Sequence, residues 1–170
     1  SQSIFYARKN RVGEIDGSSI GYVEYSNRID AMTRIYQTMW GREAFSAEEQ
    51  DMVREMAWQS MVMDNAFRPG FEKLGVYPTA KEIEDMMLDV YVSPVISRVF
   101  SNPETGQYDP AALRDFIRRK DMDESGRMQL LWEYIQEQAN DERATSKFTN
   151  LVDKAMLVTD LEVEAGVKEA

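Results

Sequence analysis

The chain has no cysteine and no histidine among its 170 residues. The first absence excludes disulfides, thiol nucleophiles and cysteine-ligated metals. The second removes the commonest general base and metal ligand near neutral pH. A cysteine-free chain suits an exported protein but is common elsewhere. No apolar run approaches the ~20 residues that span a bilayer. Ser1 to Asn10 carries an apolar patch, Ile4-Phe5-Tyr6, followed by Arg8 and Lys9, without the apolar core or cleavage pattern of a signal peptide. There is no glycine-rich phosphate loop, no Gly-x-Ser-x-Gly elbow and no internal repeat, so enzyme readings start low. Basic charge is scarce: 20 Lys and Arg against 30 Asp and Glu give a net charge of −10 and a pI near 4.6. That balance argues against a nucleic-acid footprint.

What is present belongs to a folded domain: 43% apolar and 29% charged residues. A chain of this length forms one ordinary domain that buries roughly 70% of its unfolded surface. Val12 to Ile20 alternates apolar and polar residues around Asp16-Gly17, which predicts a short hairpin on a helical body. Tyr22, Tyr25, Ile29, Met32, Ile35, Tyr36, Met39 and Trp40 recur at helical spacing, and Gly41 ends that helix.

Ser46 with Glu49 forms a capping box that opens a methionine-rich helix running to Leu74-Gly75-Val76. Its apolar positions cover too wide a face for one neighbour. Pro69 predicts a kink or short break near Arg68. Thr79 with Glu82 is a second capping box, with Ile83, Met86, Met87 and Val90 facing inward. Pro94 interrupts the next segment, Ser101 to Asp109 is a loop, and Asp109-Pro110 starts a helix that turns Leu113, Phe116 and Ile117 inward. A long helix is expected over Arg127 to Met156, solvent-bridging at the charged Asp141-Glu142-Arg143. A third capping box, Thr159 with Glu162, is expected to open a last helix.

Asp121, Asp123, Ser125 and Gly126 begin like a calcium loop, but its twelfth position is Trp132, and Glu133 falls one place late. Acids that cap the next helix are the favoured reading, and no metal or other cofactor is expected. Glu82, Glu84 and Asp85, like Asp141 and Glu142, read as solvated helix faces rather than paired catalytic acids. No catalytic residue is assigned. Methionine is unusually frequent, at 11 residues. Flexible thioethers fill irregular cores and also suit surfaces that accept varied apolar partners. Met56, Met61, Met63, Phe67 and Phe71 are the expected client-binding residues.

Several ordered motifs resemble the N-terminal chaperone region of the SurA and PpiD group of periplasmic folding factors. They are Val12-Gly13-Glu14-Ile15-Asp16-Gly17 with Ile20 and Glu24-Tyr25; Trp58; Leu74-Gly75-Val76 with Thr79, Glu82 and Ile83; Thr105-Gly106-Gln107-Tyr108-Asp109 with Leu113; and Lys147-Phe148, Leu151 and Val158-Thr159-Asp160 with Glu162. One departure is Arg68-Pro69-Gly70, where the family continues its helix smoothly.

The resemblance implies a mainly α, irregular multi-helix domain with a short N-terminal β element. It implies a linker over 1–11 from an anchor or export segment, a chaperone domain over 12–158, and a helix from 159 to 170 leading toward a parvulin-type isomerase domain. It also implies a periplasmic location, with the full-length protein anchored to the inner membrane. The parvulin site uses histidines, which this chain lacks. The implied partners are unfolded or partly folded proteins, with no nucleic acid and with membrane contact only through a segment outside this chain. A structural module that assembles with a fixed partner or a second copy is the alternative.

Overall fold

The structure is a computed structural model that describes residues 11–87 and 92–168, with side chains up to 159. Of the expected linker over 1–11, all but Arg11 lies outside the described residues, as do the inward-facing role of Val90 and the side chain of Met87. β1 (Arg11–Ile15) and β2 (Ser18–Gly21) are followed by α1 (Tyr22–Trp40) and α2 (Ala47–Val62). A π-helical turn (Met63–Phe67) then leads into α3 (Arg68–Lys73). Next come α4 (Ala80–Met87), α5 (Pro94–Val99), α6 (Pro110–Asp121) and α7 (Arg127–Lys168). The fold is mainly α with a small N-terminal antiparallel sheet, as the periodicity predicts. No helix among the described residues is long and apolar enough to cross a membrane.

The hairpin turns at Asp16 and Gly17, both at positive φ (47° and 78°), the geometry that an Asp-Gly pair favours in a two-residue loop. Two strands alone are marginal. These two are held by Ile15 and Ile20, which bury against Met61 of α2 with Trp58, Val62 and Ala66 around them. Gly13 lies flat on the Trp58 indole, where an added Cβ would come 2.6 Å from Cη2. Trp58 cannot retreat freely, because its ring stands edge-on to Tyr25 at 5.9 Å. Gly13→Ala should therefore cost about 1–3 kcal/mol by overpacking, read as a shift of the urea midpoint.

The main core lies between α1, α2, α5, α6 and α7 and is built from Met32, Ile35, Val53, Ala57, Ile96, Phe100, Leu113, Phe116, Leu131, Ile135 and Ala139. α7 is the common wall, packed against α1, α3, α5 and α6. Local signals set the helix starts. Ser46 and Glu49 form the reciprocal capping box. Thr79 Oγ1 accepts from the Glu82 amide while Glu82 accepts from the Thr79 amide. Asp109 caps α6 through the Ala111 amide. The calcium-like loop is a cap: Asp123 accepts from the Ser125 amide at 3.0 Å and the Met128 amide at 2.8 Å.

The Leu74-Gly75-Val76 junction ends α3 in a Schellman motif. The Val76 amide donates to the Phe71 carbonyl and the Gly75 amide to the Glu72 carbonyl, both at 3.1 Å, with Gly75 at φ 64°. Val76 and Phe71 bury together beside Ala144 of α7, the apolar contact that accompanies this motif.

Two expectations need correction, and a third takes a specific form. The kink or short break expected near Arg68 is a widened turn: the Arg68 amide donates five residues back, to the Met63 carbonyl. The wider turn gives room to a ring that would otherwise press on the carbonyl four residues before it. The charged stretch of α7 is not solvent-bridging, because Asp141 is 5% exposed and both Ala139 and Ala144 are fully buried. No helix begins at Thr159, because α7 continues through it to Lys168 and the Thr159 hydroxyl donates back to the Ala155 carbonyl at 3.0 Å. The expected end at Met156 moves accordingly.

Candidate functional site: a cleft between α2 and α7

An open cleft of ≈ 480 Å³ runs between α2 with its π turn on one side and α7 on the other. α2 contributes Met56, Gln59 and Ser60, the π turn Met63, and α5 Val95. The α7 wall carries Tyr134, Gln138, Asp141, Glu142, Thr145 and Ser146, spaced to lie along one face of the helix. The walls are more apolar than polar, and flexible methionines form much of the α2 side.

Arg68 closes one end. Its Nη2 lies 2.8 Å from Asp141 Oδ2, its Nε donates to Oδ1 at 3.3 Å, and its Nη1 lies 2.9 Å from Glu137. Asp64 Oδ1 sits 2.6 Å from Nη1 but off the N–H direction, so charge rather than a directed hydrogen bond holds it. The other Asp64 oxygen takes Arg28 at 2.6 Å, and Tyr77 donates to Asp141 at 2.9 Å. Burial alone would lower the Arg68 pKa, yet Asp141, Glu137 and Asp64 more than reverse that and raise it. Burial, and then the Asp141 carboxylate, raise the Tyr77 hydroxyl. Burial and then Tyr36 do the same for Tyr134. These three groups keep fixed protonation states at neutral pH and hold shape rather than exchange protons.

A second tie lies beyond this cluster. Glu82 reaches from the start of α4 to Lys147 of α7 at 2.8 Å and to Arg143 at 3.5 Å. Lys147 first, and then the Thr79 amide, hold its carboxyl down to about 2, from an ordinary 4.5. A depressed carboxylate contributes stability that is fully present above its unfolded value and is lost as pH falls through the folded one. Glu82→Gln should therefore flatten the acid limb of the stability profile between about pH 4.5 and 2. At pH 7 it should cost about 1 kcal/mol, since solvent screens the pair. Urea unfolding at several pH values checks both.

Of the expected client-binding residues, the structure brings Met56 and Met63 together in the cleft. Met61 is fully buried under the hairpin and Phe71 is 5% exposed, so both are core side chains rather than surface ones. Phe67 is half-exposed and lies 6.3 Å from the Phe71 ring, outside the cleft. The π turn accounts for part of this, since one extra residue in a turn rotates everything after it by roughly 100° relative to a continuous α-helix. Sequence reasoning missed Tyr134, Gln138, Glu142 and Val95. For the α7 residues, the 134-138-141-145 spacing was the available signal.

A family model described as SurA-like N-terminal domain matches residues 1–117, which takes in the hairpin, α1 to α5 and most of α6. No curated protein and no solved structure matches the chain. The family's N-terminal domain is a non-catalytic, chaperone-type module, typically periplasmic. With the match covering well over half of its length, the chain belongs to the family of SurA-like N-terminal domains.

Proposed function

We propose that this chain is the chaperone module of a PpiD-like folding factor and holds unfolded or partly folded envelope proteins in the cleft between α2 and α7. The observation that carries the reading is an open, methionine-walled cleft on a SurA-like domain. Met56 and Met63 offer adaptable apolar contact, while Gln59 and Gln138 offer polar groups to a client backbone. Residues 12–158 form the chaperone body in this reading. The full-length protein would be held at the inner membrane and carry a parvulin-type isomerase domain.

Affinity should fall at roughly tens of micromolar, or about 6 kcal/mol of association free energy. Titration of the chain against denatured outer-membrane and model proteins, with a light-scattering assay of aggregation, tests this. Met56→Glu with Met63→Glu should weaken binding about tenfold or more and leave far-UV circular dichroism unchanged. Unfolded proteins that neither bind nor stay soluble in that range would end the reading.

The alternative, assembly with a fixed partner or a second copy, draws on a different surface. Leu151, Met156, Leu157 and Val158 of α7 are 50–62% exposed, and Leu151 and Val158, seven residues apart, share one face of the helix. A concentration-independent dimer in light scattering that Leu151→Asp dissolves would favour assembly.

A further inference from the structure

The proposed cleft has a sign. Of its lining residues, Arg68 and Asp141 form an ion pair, and behind them Asp64, Glu137 and Arg28 complete a cluster of three carboxylates and two guanidiniums that carries one negative charge. Glu142 lines the same cleft and adds a second, with no ion pair or hydrogen bond to its carboxylate among the described residues. Other acids near the cleft are tied: Asp141 by Arg68 and Tyr77, and Glu82 on α4 by Lys147 and Arg143. Glu142 therefore stands beside the apolar floor of Met56 and Met63 as the carboxylate left to meet a ligand.

Resting on the client-binding reading above, we infer that the cleft selects apolar client segments with an adjacent lysine or arginine and disfavours segments flanked by acid. An apolar side chain would sit against the methionines, and its cationic neighbour would lie over Glu142. The net charge of −10 acts in the same direction at longer range by drawing cationic segments to the surface. A partly solvated pair of this kind changes affinity severalfold at most and weakens with salt.

The test uses the 170-residue chain and three fluorescein-labelled unfolded decapeptides that share one Leu-Phe-Leu centre, flanked on both sides by Lys, Gln or Glu. Fluorescence anisotropy at 50 mM salt should rank them Lys, Gln, Glu, with about threefold to tenfold between the first and last, narrowing at 500 mM. Glu142→Gln should bring the Lys and Glu peptides within about twofold of each other. Asp153→Asn removes an equal charge from the exposed far part of α7 and should keep the ranking. Equal binding of all three peptides would overturn the charge preference and leave client binding standing. So would a ranking that Glu142→Gln preserves. If no peptide binds and denatured proteins do not either, the client reading itself falls.

Discussion

Arg68→Ala should lower the unfolding free energy by about 3–5 kcal/mol, the cost of breaking a buried ion pair by removing one partner. The loss reaches past one contact. Arg68 ties the π turn to α7 by binding Asp64 on its own segment and both Glu137 and Asp141 across the interface, beside the packing of Met63 against the cluster of Phe71, Val76 and Ala144. Without it, among the described residues, a 5%-exposed carboxylate at Asp141 would keep only the Tyr77 hydroxyl, and Asp64 would keep only Arg28. Arg68→Lys should recover less than half, since a single ammonium cannot present the planar fork that takes both oxygens of Asp141 and still reaches Glu137. Asp141→Asn should cost less than Arg68→Ala, because the remaining guanidinium still has Asp64 and Glu137. Urea unfolding at pH 7 measures all three, and an Arg68→Ala cost below 1 kcal/mol would show that the network contributes little beyond ordinary surface pairs.

Arg68 also marks the limit of what the sequence discloses. The capping boxes at Ser46 and Thr79, the Asp16-Gly17 turn, the Asp109-Pro110 start and the Gly75 stop are all legible because each is completed within about six residues. Arg68-Pro69-Gly70 reads locally as damage to a helix. Only the approach of Asp141, 73 positions away, shows it as an anchor. The same limit misplaces the charged stretch of α7, where a buried acid looks like a solvated one until its partner is known.

The Thr159 signal fails for another reason. A threonine can cap only where the chain before it leaves the helix, and Ala155 to Val158 contains no proline or glycine to make it do so. With the helix intact, its hydroxyl turns back to Ala155. Thr79 has the same local chemistry but follows Pro78, which forces the break that capping needs.

The methionine face divides along the same line between local pattern and packing. Helical spacing identified Met56, Met61 and Met63 as apolar positions on α2 and the turn after it, but not which neighbour each would meet. Met61→Ala should destabilise the chain by about 2–5 kcal/mol, because its side chain is fully buried and plugs the space between α2 and the strands through Ile15 and Ile20. Among the described residues the hairpin has no other sheet to lean on, so it should open first. Native-state hydrogen exchange at Ile15 and Ile20 should then accelerate well before exchange in the Ile96 and Leu131 core. Met63→Ala, half-buried between the cleft and the cluster of Phe71, Val76 and Ala144, should cost about 1 kcal/mol, less than Met61→Ala, and reduce client affinity. A Met61→Ala variant of near-native stability would mean that the hairpin is held from elsewhere. A Met63→Ala variant that lost several kcal/mol would mean that the cleft wall is core, and the residues proposed for client binding would have to be sought on the exposed face of α7.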